Sequence, residues 1–571
     1  MGNDHNLFLI RSLNYSKRYH LPSYMAMRLF ALSVVSDKNS AWLERYIYRK
    51  TDLRKKSRYI PFKSLKKVNP DNTTECRSFS LASPVVAMSE AWLLNELSKC
   101  PDFQVKDCVY SYLWPTKNSG NCFKFFVQGY NDRNEDISTA LKSLPDSGFL
   151  ITDIRNFYPS IPRSMLFSRL EEKLSSSDLT KEIKQIVLDL AKASLPSDVS
   201  ETGIAIGPTI SHLLANVYME DFDRQMLERC PGKYFRYVDD IVIVDKVDKL
   251  PDHQKFISHL MEQHGLKIHD GKTEILRDTD WHNHFPKYPK SGNSFNELQR
   301  DLQIFFMLYP GKFDKVKSRF AEQGISLPLN RYIADSRYRR FRRYILREFS
   351  AILKNIFVTE SDLVKSAISL RETLFEELKT ICEELKGLSP TKYRWQIKRL
   401  RHRVNPLIYL FPLQEYSKII ELLAKVPEFY DTIALLQSLI RKDPGKLLHM
   451  PGAPVRTFAE IALELGFRKS KYPHPLVSDT HVDSVCVLLL NDLIELDASN
   501  YKSGKHTELL SFCSMQPPAK IESNDFTYIN EVRCLQLNAS KKLMESIMRT
   551  RFDSNEDSIL SALMLGDNYY Y

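Results

Sequence analysis

Between about residues 145 and 280, short β-branched or aromatic runs alternate with stretches at helical spacing. Phe149-Leu-Ile-Thr-Asp153, Tyr234-Phe-Arg-Tyr237 and Ile241-Val-Ile-Val244 read as strands, and Ser211 to Leu227 reads as a helix between them. Such alternation predicts an α/β or α+β core. From about residue 296 the pattern becomes almost wholly helical. Over 361–386, Val364, Ile368, Phe375, Leu378, Cys382 and Leu385 recur at helical spacing until Gly387 and Pro390 end the run. Similar runs cover 413–425, 428–441, 455–465 and 480–496, punctuated by Pro427, Pro444, Gly445, Gly466 and Pro473. Helices of this length joined by short turns predict a bundle or a stacked array of helix pairs, although no strict repeat is visible. The polar stretch Lys287-Tyr-Pro-Lys-Ser-Gly-Asn-Ser-Phe-Asn296 marks the expected boundary, giving units 1–295 and 296–571.

Composition narrows the class without deciding it. The 571 residues are 43% hydrophobic and 26% charged with only 18 glycines, which excludes a disordered or fibrous chain. The net charge of +11 suits a polyanionic partner. The 9 cysteines are scattered with no C-x-x-C pair, so neither a zinc ribbon nor a redox motif is readable, and free thiols in a reducing cytosol are expected. The first residues are too polar for a signal peptide, and Asn6 breaks the myristoylation pattern. No apolar run is long enough to span a bilayer, so the expectation is a cytoplasmic protein without a membrane partner.

Chemistry concentrates in Tyr234 to Val244, where two strand-like runs flank a turn bearing Asp239 and Asp240. Adjacent carboxylates repel and raise one another's pKa unless a cation neutralises them. Mg²⁺, which favours carboxylate oxygens and substrate phosphates, is the natural partner. Asp153 ends a second strand, and two neighbouring strands ending in acids can share a metal pair about 3.5–4 Å apart. An Asp-Asp pair also arises by chance in a chain this long, and Asp153 could serve as a helix N-cap instead. Between these acids, Gly203-Ile-Ala-Ile-Gly-Pro-Thr-Ile-Ser-His-Leu-Leu-Ala-Asn216 leads a glycine-bearing turn into a helix, a place suited to anionic groups. After them, Lys272 lies in Gly265-Leu-Lys-Ile-His-Asp-Gly-Lys-Thr273, where it could protonate or screen pyrophosphate, or be a solvated surface lysine.

The order of these four blocks resembles the reverse transcriptase family. Asp153 with its trailing aromatics is similar to motif A, the 203–216 block to motif B, Tyr237-Val-Asp-Asp240 to motif C and the 265–273 block to motif D. The resemblance implies a right-hand polymerase with fingers and palm, in which two Mg²⁺ ions (or Mn²⁺) sit on Asp153, Asp239 and Asp240 and on the backbone carbonyl of Ile154. It implies that Tyr158 is the steric gate that excludes a ribose 2′-hydroxyl and favours dNTPs. Arg58 and Arg77 fall where the family's fingers hold the triphosphate. Gly207 keeps the motif B glycine, but Ile206 replaces the usual glutamine and cannot hydrogen-bond. That departure puts template dependence and substrate choice in question.

A compact polymerase followed by a long helical half resembles bacterial abortive-infection reverse transcriptases. The resemblance implies antiphage defence, with dNMPs added to a 3′-hydroxyl or a protein hydroxyl. The partners expected are dNTPs, an RNA or DNA primer-template, and a noncoding RNA or partner protein, with homo-oligomerisation left open. Template-independent, protein-primed synthesis is one rival, and a nucleic-acid-binding scaffold with a vestigial site is another. Outside the palm, Arg337, Arg339, Arg340 and Arg343 lie in a stretch dense in arginine and aromatics, suited to phosphate contact and base stacking. Lys392 to Arg403 is similar, with a solvated helix face as the alternative. Tyr569, Tyr570 and Tyr571 could supply a priming hydroxyl or form a docked tail. Trp281-His-Asn-His284 lacks the spaced partners of a nuclease motif and reads as a loop.

Overall fold

The computed structural model describes residues 4–19, 21–36, 58–68, 74–116, 119–196, 200–284, 295–332, 349, 352–450, 452–502, 506–515 and 531–532. Six strands organise the first half. β1 (Tyr59–Val68) and β2 (Thr74–Ala82) form an antiparallel ribbon. β3 (Ser147–Asp153), β4 (Tyr234–Tyr237), β5 (Asp240–Lys246) and β6 (Glu274–Arg277) form an antiparallel sheet ordered β4-β5-β3-β6. The structure is therefore α+β, as the alternation predicted.

Both faces of the four-stranded sheet are covered, which explains why its strands are apolar runs without a polar side. Successive side chains alternate between faces. Leu150, Ile241, Ile243 and Tyr234 join the large core with the helices Arg163–Ser176, Ile210–Arg229 and Leu250–Gln263. Phe149, Val242, Val244, Phe235 and Leu276 point the other way, onto Ile137 and Leu141 of the helix Phe126–Ser143 and onto Trp281 and Trp395.

Two expectations are corrected here. Residues 281–284 are the end of a short helix, Asp278–His284, not a loop. Trp281 is buried between Phe149 and Trp395, with ring centroids 5.2 and 6.4 Å away, and that packing stabilises the turn. The helix expected at 361–386 is Glu360–Glu384, opened by a capping box between Thr359 and Asp362. Its buried stripe, however, is Leu363, Ala367, Leu370, Leu374, Leu378 and Ile381. Val364, Phe375 and Cys382 flank that stripe, because a 3.6-residue period accommodates either neighbouring set and only tertiary packing chooses.

Further helices of this half include Phe295–Leu308, Phe313–Glu322, Pro390–Leu410, Tyr416–Leu423, Tyr430–Arg441, Gly452–Glu464, Val482–Leu490 and Thr507–Cys513. The 480–496 run thus breaks early, and Ile494–Glu495 pairs in parallel with Ser470–Lys471. The chain also closes on itself, since Leu21–Ser36 touches Val482–Leu490 and Val85 N–H donates to Glu531. One hydrophobic core runs through residues on both sides of position 296. No helix among the described residues is long and apolar enough to cross a membrane.

Candidate active site

β3 pairs with β5 in a register that places Asp153 directly opposite Asp240. Facing residues of an antiparallel pair share a side, so these two carboxylates project from the same face. Asp239 sits beside them in the two-residue turn between Tyr237 and Asp240. Its partner in that turn, Val238, has φ +58°, an uncommon conformation for a β-branched residue.

The turn is held from three sides. Val238 N–H donates to Ser111 Oγ at 2.9 Å, Arg236 Nη1 donates to the Val238 carbonyl at 3.1 Å, and Ile154 N–H donates to the Asp239 carbonyl at 3.0 Å. Arg236 is itself fixed by Asp223, Nε to Oδ1 at 2.7 Å and Nη2 to Oδ2 at 2.6 Å, in a fully buried fork that Tyr234 joins through its hydroxyl. Such over-determination lets a strained turn persist.

Electrostatics follow from this crowding. Burial, then Asp240 and Asp153, push the Asp239 carboxyl up to about 7. Burial also raises Asp153, opposed by Lys272, whose Nζ donates to Asp153 Oδ2 at 2.6 Å. Among the described residues no three acid, histidine or cysteine side chains converge closely enough to hold a metal as they stand. The chemistry of the set nevertheless fits a hard divalent cation. It offers only oxygen donors, one of them reluctant to ionise, and it has already drawn in an ammonium as counter-charge.

Tyr158 is buried, and its hydroxyl pairs with His212 Nδ1 at 2.7 Å. His212 Nε2 in turn meets the Tyr15 hydroxyl at 2.9 Å, and Tyr112 stacks on the imidazole with centroids 3.9 Å apart. Burial lowers His212 to about 3, so the ring is neutral.

Ile206 offers its carbonyl to Ser80 N–H at 2.8 Å, joining the 203–207 turn to β2. Gly207 has φ +119°, and a Cβ there would lie 2.4 Å from the Ser80 carbonyl oxygen, so only glycine permits this approach. Arg77 is exposed on β2. Arg58 is instead 2% exposed, and its charge acts on buried Glu531. Arg337, Arg339, Arg340, Arg343 and Tyr569 to Tyr571 lie outside the described residues.

Several participants escaped sequence reading. Glu90 is buried, accepts from Tyr59 Oη at 2.6 Å and from Thr209 N–H at 2.7 Å, and so ties β1 to the start of Ile210–Arg229. Burial raises it to about 7. Its one signal was a lone acid inside the apolar run Pro84-Val-Val-Ala-Met-Ser-Glu-Ala-Trp-Leu-Leu94. Arg394, from the helix Pro390–Leu410, reaches the Lys272 carbonyl with Nη2 at 3.4 Å. It stood within a basic, aromatic stretch that gave no hint of this placement.

Residues 75–300, less than half of the chain, match the family described as reverse transcriptase (RNA-dependent DNA polymerase). No curated protein sequence matches the chain. Among solved structures, telomerase from Candida albicans in complex with a TWJ fragment of telomeric RNA is similar at 12% identity, covering 70% of this chain and 70% of that one, with a TM-score of 0.29. Apo telomerase from Candida tropicalis is similar at 11% identity, covering 71% of this chain and 73% of that one, with a TM-score of 0.27. Scores this low carry no argument about fold or activity.

Proposed function

We propose, from the match of residues 75–300 to the reverse transcriptase family, that this chain is a nucleotidyltransferase of the RNA-directed DNA polymerase type in which Asp153, Asp239 and Asp240 carry metal-dependent DNA synthesis in bacterial antiphage defence. The observation that carries the reading is the register of Asp153 against Asp240, with Asp239 on the adjoining turn. Phosphoryl transfer needs little covalent help from a protein and depends on positioning and charge neutralisation.

Asp153, Asp239, Asp240 and the Ile154 carbonyl would hold two Mg²⁺ ions, or Mn²⁺, which would neutralise charge on the reacting phosphate. The chain's own residues supply the rest. Asp239, with its raised pKa, must lose its proton before it can serve. Lys272 stands within reach of the pyrophosphate as a charge screen or proton donor. Tyr158, held by His212, gates against a ribose 2′-hydroxyl. Gly207 brings the turn close to β2, where exposed Arg77 is available to phosphate. The burial of Arg58 supports a structural role for it more than phosphate contact. Residues 1–295 would be fingers and palm, and 296–571 would guide product or bind a protein or noncoding RNA. The defence role rests on a long helical half behind a compact polymerase.

Ile206 favours a second reading, template-independent addition to a 3′-hydroxyl or to a protein hydroxyl such as those of Tyr569 to Tyr571. Its side chain cannot hydrogen-bond a templated nucleotide, and its carbonyl is already committed to Ser80.

The test is incorporation of labelled dNTPs with Mg²⁺ by the wild type and by Asp239→Ala/Asp240→Ala, with and without added nucleic acid. Products would be sequenced after protease treatment. Incorporation lost in the variant supports the polymerase, and product sequence separates copying from untemplated addition. Full cellular activity of the variant would sink the reading in favour of a scaffold.

A further inference from the structure

We propose that Arg394, brought to the palm by a helix of the C-terminal half, binds the triphosphate of the incoming nucleotide and the pyrophosphate that leaves it. The inference rests on the polymerase reading above and adds a residue from outside residues 75–300 to its site.

The helix Pro390–Leu410 is attached to the palm at three points. Thr391 N–H, in the first turn, donates to Glu274 Oε2 on β6 at 3.0 Å, so a palm carboxylate satisfies the helix N-terminus. Lys392 pairs with Asp280 at 2.7 Å. Trp395, 7% exposed, stacks with Phe149 at 6.2 Å between centroids and with His284 at 4.0 Å. Phe149 lies on the same face of β3 as Asp153, four residues apart, so the helix covers the very face from which the carboxylates project.

Between these anchors lies Arg394, half-buried beside the Asp270–Lys272 turn. Its hydrogen bonds go only to neutral acceptors: the Pro390 carbonyl from Nε at 3.3 Å, and from Nη2 the Lys272 carbonyl at 3.4 Å and Thr391 Oγ1 at 3.1 Å. No carboxylate lies within ion-pairing distance of it among the described residues. Its charge is nevertheless felt by Asp153, Asp240 and Glu274, which partly offset the cost of its burial.

A cation near a helix N-terminus is disfavoured by the helix dipole, and burial without an ion pair adds to that cost. If Arg394 served only to dock the helix, Glu274 would be its natural partner, yet Glu274 is engaged by Thr391 N–H. A guanidinium held by weak bonds to neutral oxygens, one of them the carbonyl of the lysine that bonds Asp153, is placed for a phosphate. Its planar fork suits two phosphate oxygens at once. Lys272 on one side and Arg394 on the other would share the charge that develops on pyrophosphate as the α-phosphorus to bridging-oxygen bond breaks.

The experiment compares wild type, Arg394→Ala and Arg394→Lys. It measures KM and kcat for dTTP, primer-template affinity, and the melting shift produced by dTTP, dTMP or inorganic pyrophosphate with Mg²⁺. Removing one charge-assisted contact should raise the dTTP KM about tenfold or more, with primer-template affinity unchanged. The shifts from dTTP and pyrophosphate should shrink while that from dTMP stays, and lysine should recover part of both. An unchanged dTTP KM with unchanged shifts overturns the proposal, as does a loss confined to primer-template affinity. Should Arg394→Ala itself melt early, Arg394→Lys decides, because it keeps the charge and the stem while losing the fork. A wild type that incorporates nothing fails the polymerase reading instead. The triphosphate shift then still judges this one, and no shift in the wild type rejects it.

Discussion

The Tyr158 hydroxyl and His212 Nδ1, 2.7 Å apart, complete a relay that begins at Tyr15 in the first helix. A neutral imidazole has one N–H and one acceptor nitrogen, so one phenol must donate to the ring and the other must accept from it. The relay therefore has a fixed polarity, and it sets the angle of the Tyr158 ring, the proposed gate. His212→Phe would remove the imidazole that both hydroxyls share, costing about 1–3 kcal/mol, and would loosen the Tyr158 ring. Discrimination between dTTP and UTP, read as the ratio of their kcat/KM values, should fall about tenfold. Tyr158→Ala should abolish most of it. An unchanged ratio in Tyr158→Ala would remove Tyr158 from the gate.

Asp239 predicts a pH dependence with a definite sign. Its folded pKa, about 7, lies above its ordinary 3.8, so ionisation is penalised in the folded state. In metal-free protein this penalty grows as pH rises from about 4 to about 7 and is complete above that. Asp239→Asn should accordingly raise the metal-free melting temperature most above pH 7 and leave it unchanged near pH 4. A proton competes with a cation for the same oxygens, so the Mg²⁺ concentration for half-maximal activity should rise about tenfold per unit below pH 7. A flat Mg²⁺ requirement from pH 8 to 6 would contradict this.

The buried Asp223–Arg236 fork supports the Val238–Asp239 turn from behind. Asp223→Ala strands a buried guanidinium and should cost about 3–5 kcal/mol of stability in chemical denaturation. Asp223→Leu/Arg236→Met should recover part of that stability without recovering activity, because nothing then holds the Val238 carbonyl. Equal stability of Asp223→Ala and the wild type would refute the account.

At Gly207 the conflict is steric. Ala at φ +119° would set its Cβ 2.4 Å from a backbone oxygen, so Gly207→Ala should cost at least about 2 kcal/mol and loosen β2 from the 203–207 turn. Gly232→Ala, where nothing lies within 4 Å of the added carbon, should be milder despite φ +68°. The two melting temperatures decide.

How much was legible depended on range. β3 and β5 could be read because burial on both faces writes itself as unbroken apolar runs, and the turn between β4 and β5 because paired acids there have no structural use. Trp281 was misread, since its only local context is polar and the partner that buries it, Trp395, is far along the chain. The stripe of Glu360–Glu384 was displaced by one position because periodicity alone cannot orient a helix that carries apolar residues on both flanks. His212 lay inside a recognised block yet gave no sign of its role, which depends on Tyr15. Arg394 looked like any arginine in a basic stretch until the helix carrying it was placed.

The aromatic seat of Trp395 also has a consequence for synthesis. β6 ends at Arg277, and Trp395 leaves the ribosome only after the intervening chain has been made. At roughly 5–20 residues per second that is a wait of about 6–24 s. Throughout it the face bearing Phe149 and Val244 lacks part of its cover. A nascent chain with an incompletely covered sheet is exposed to aggregation, and the arrival of the helix Pro390–Leu410 would end that exposure. Slow codons between β6 and that helix would prolong the hazard, and supplying the second half as a separate chain would turn it into a race between docking and self-association.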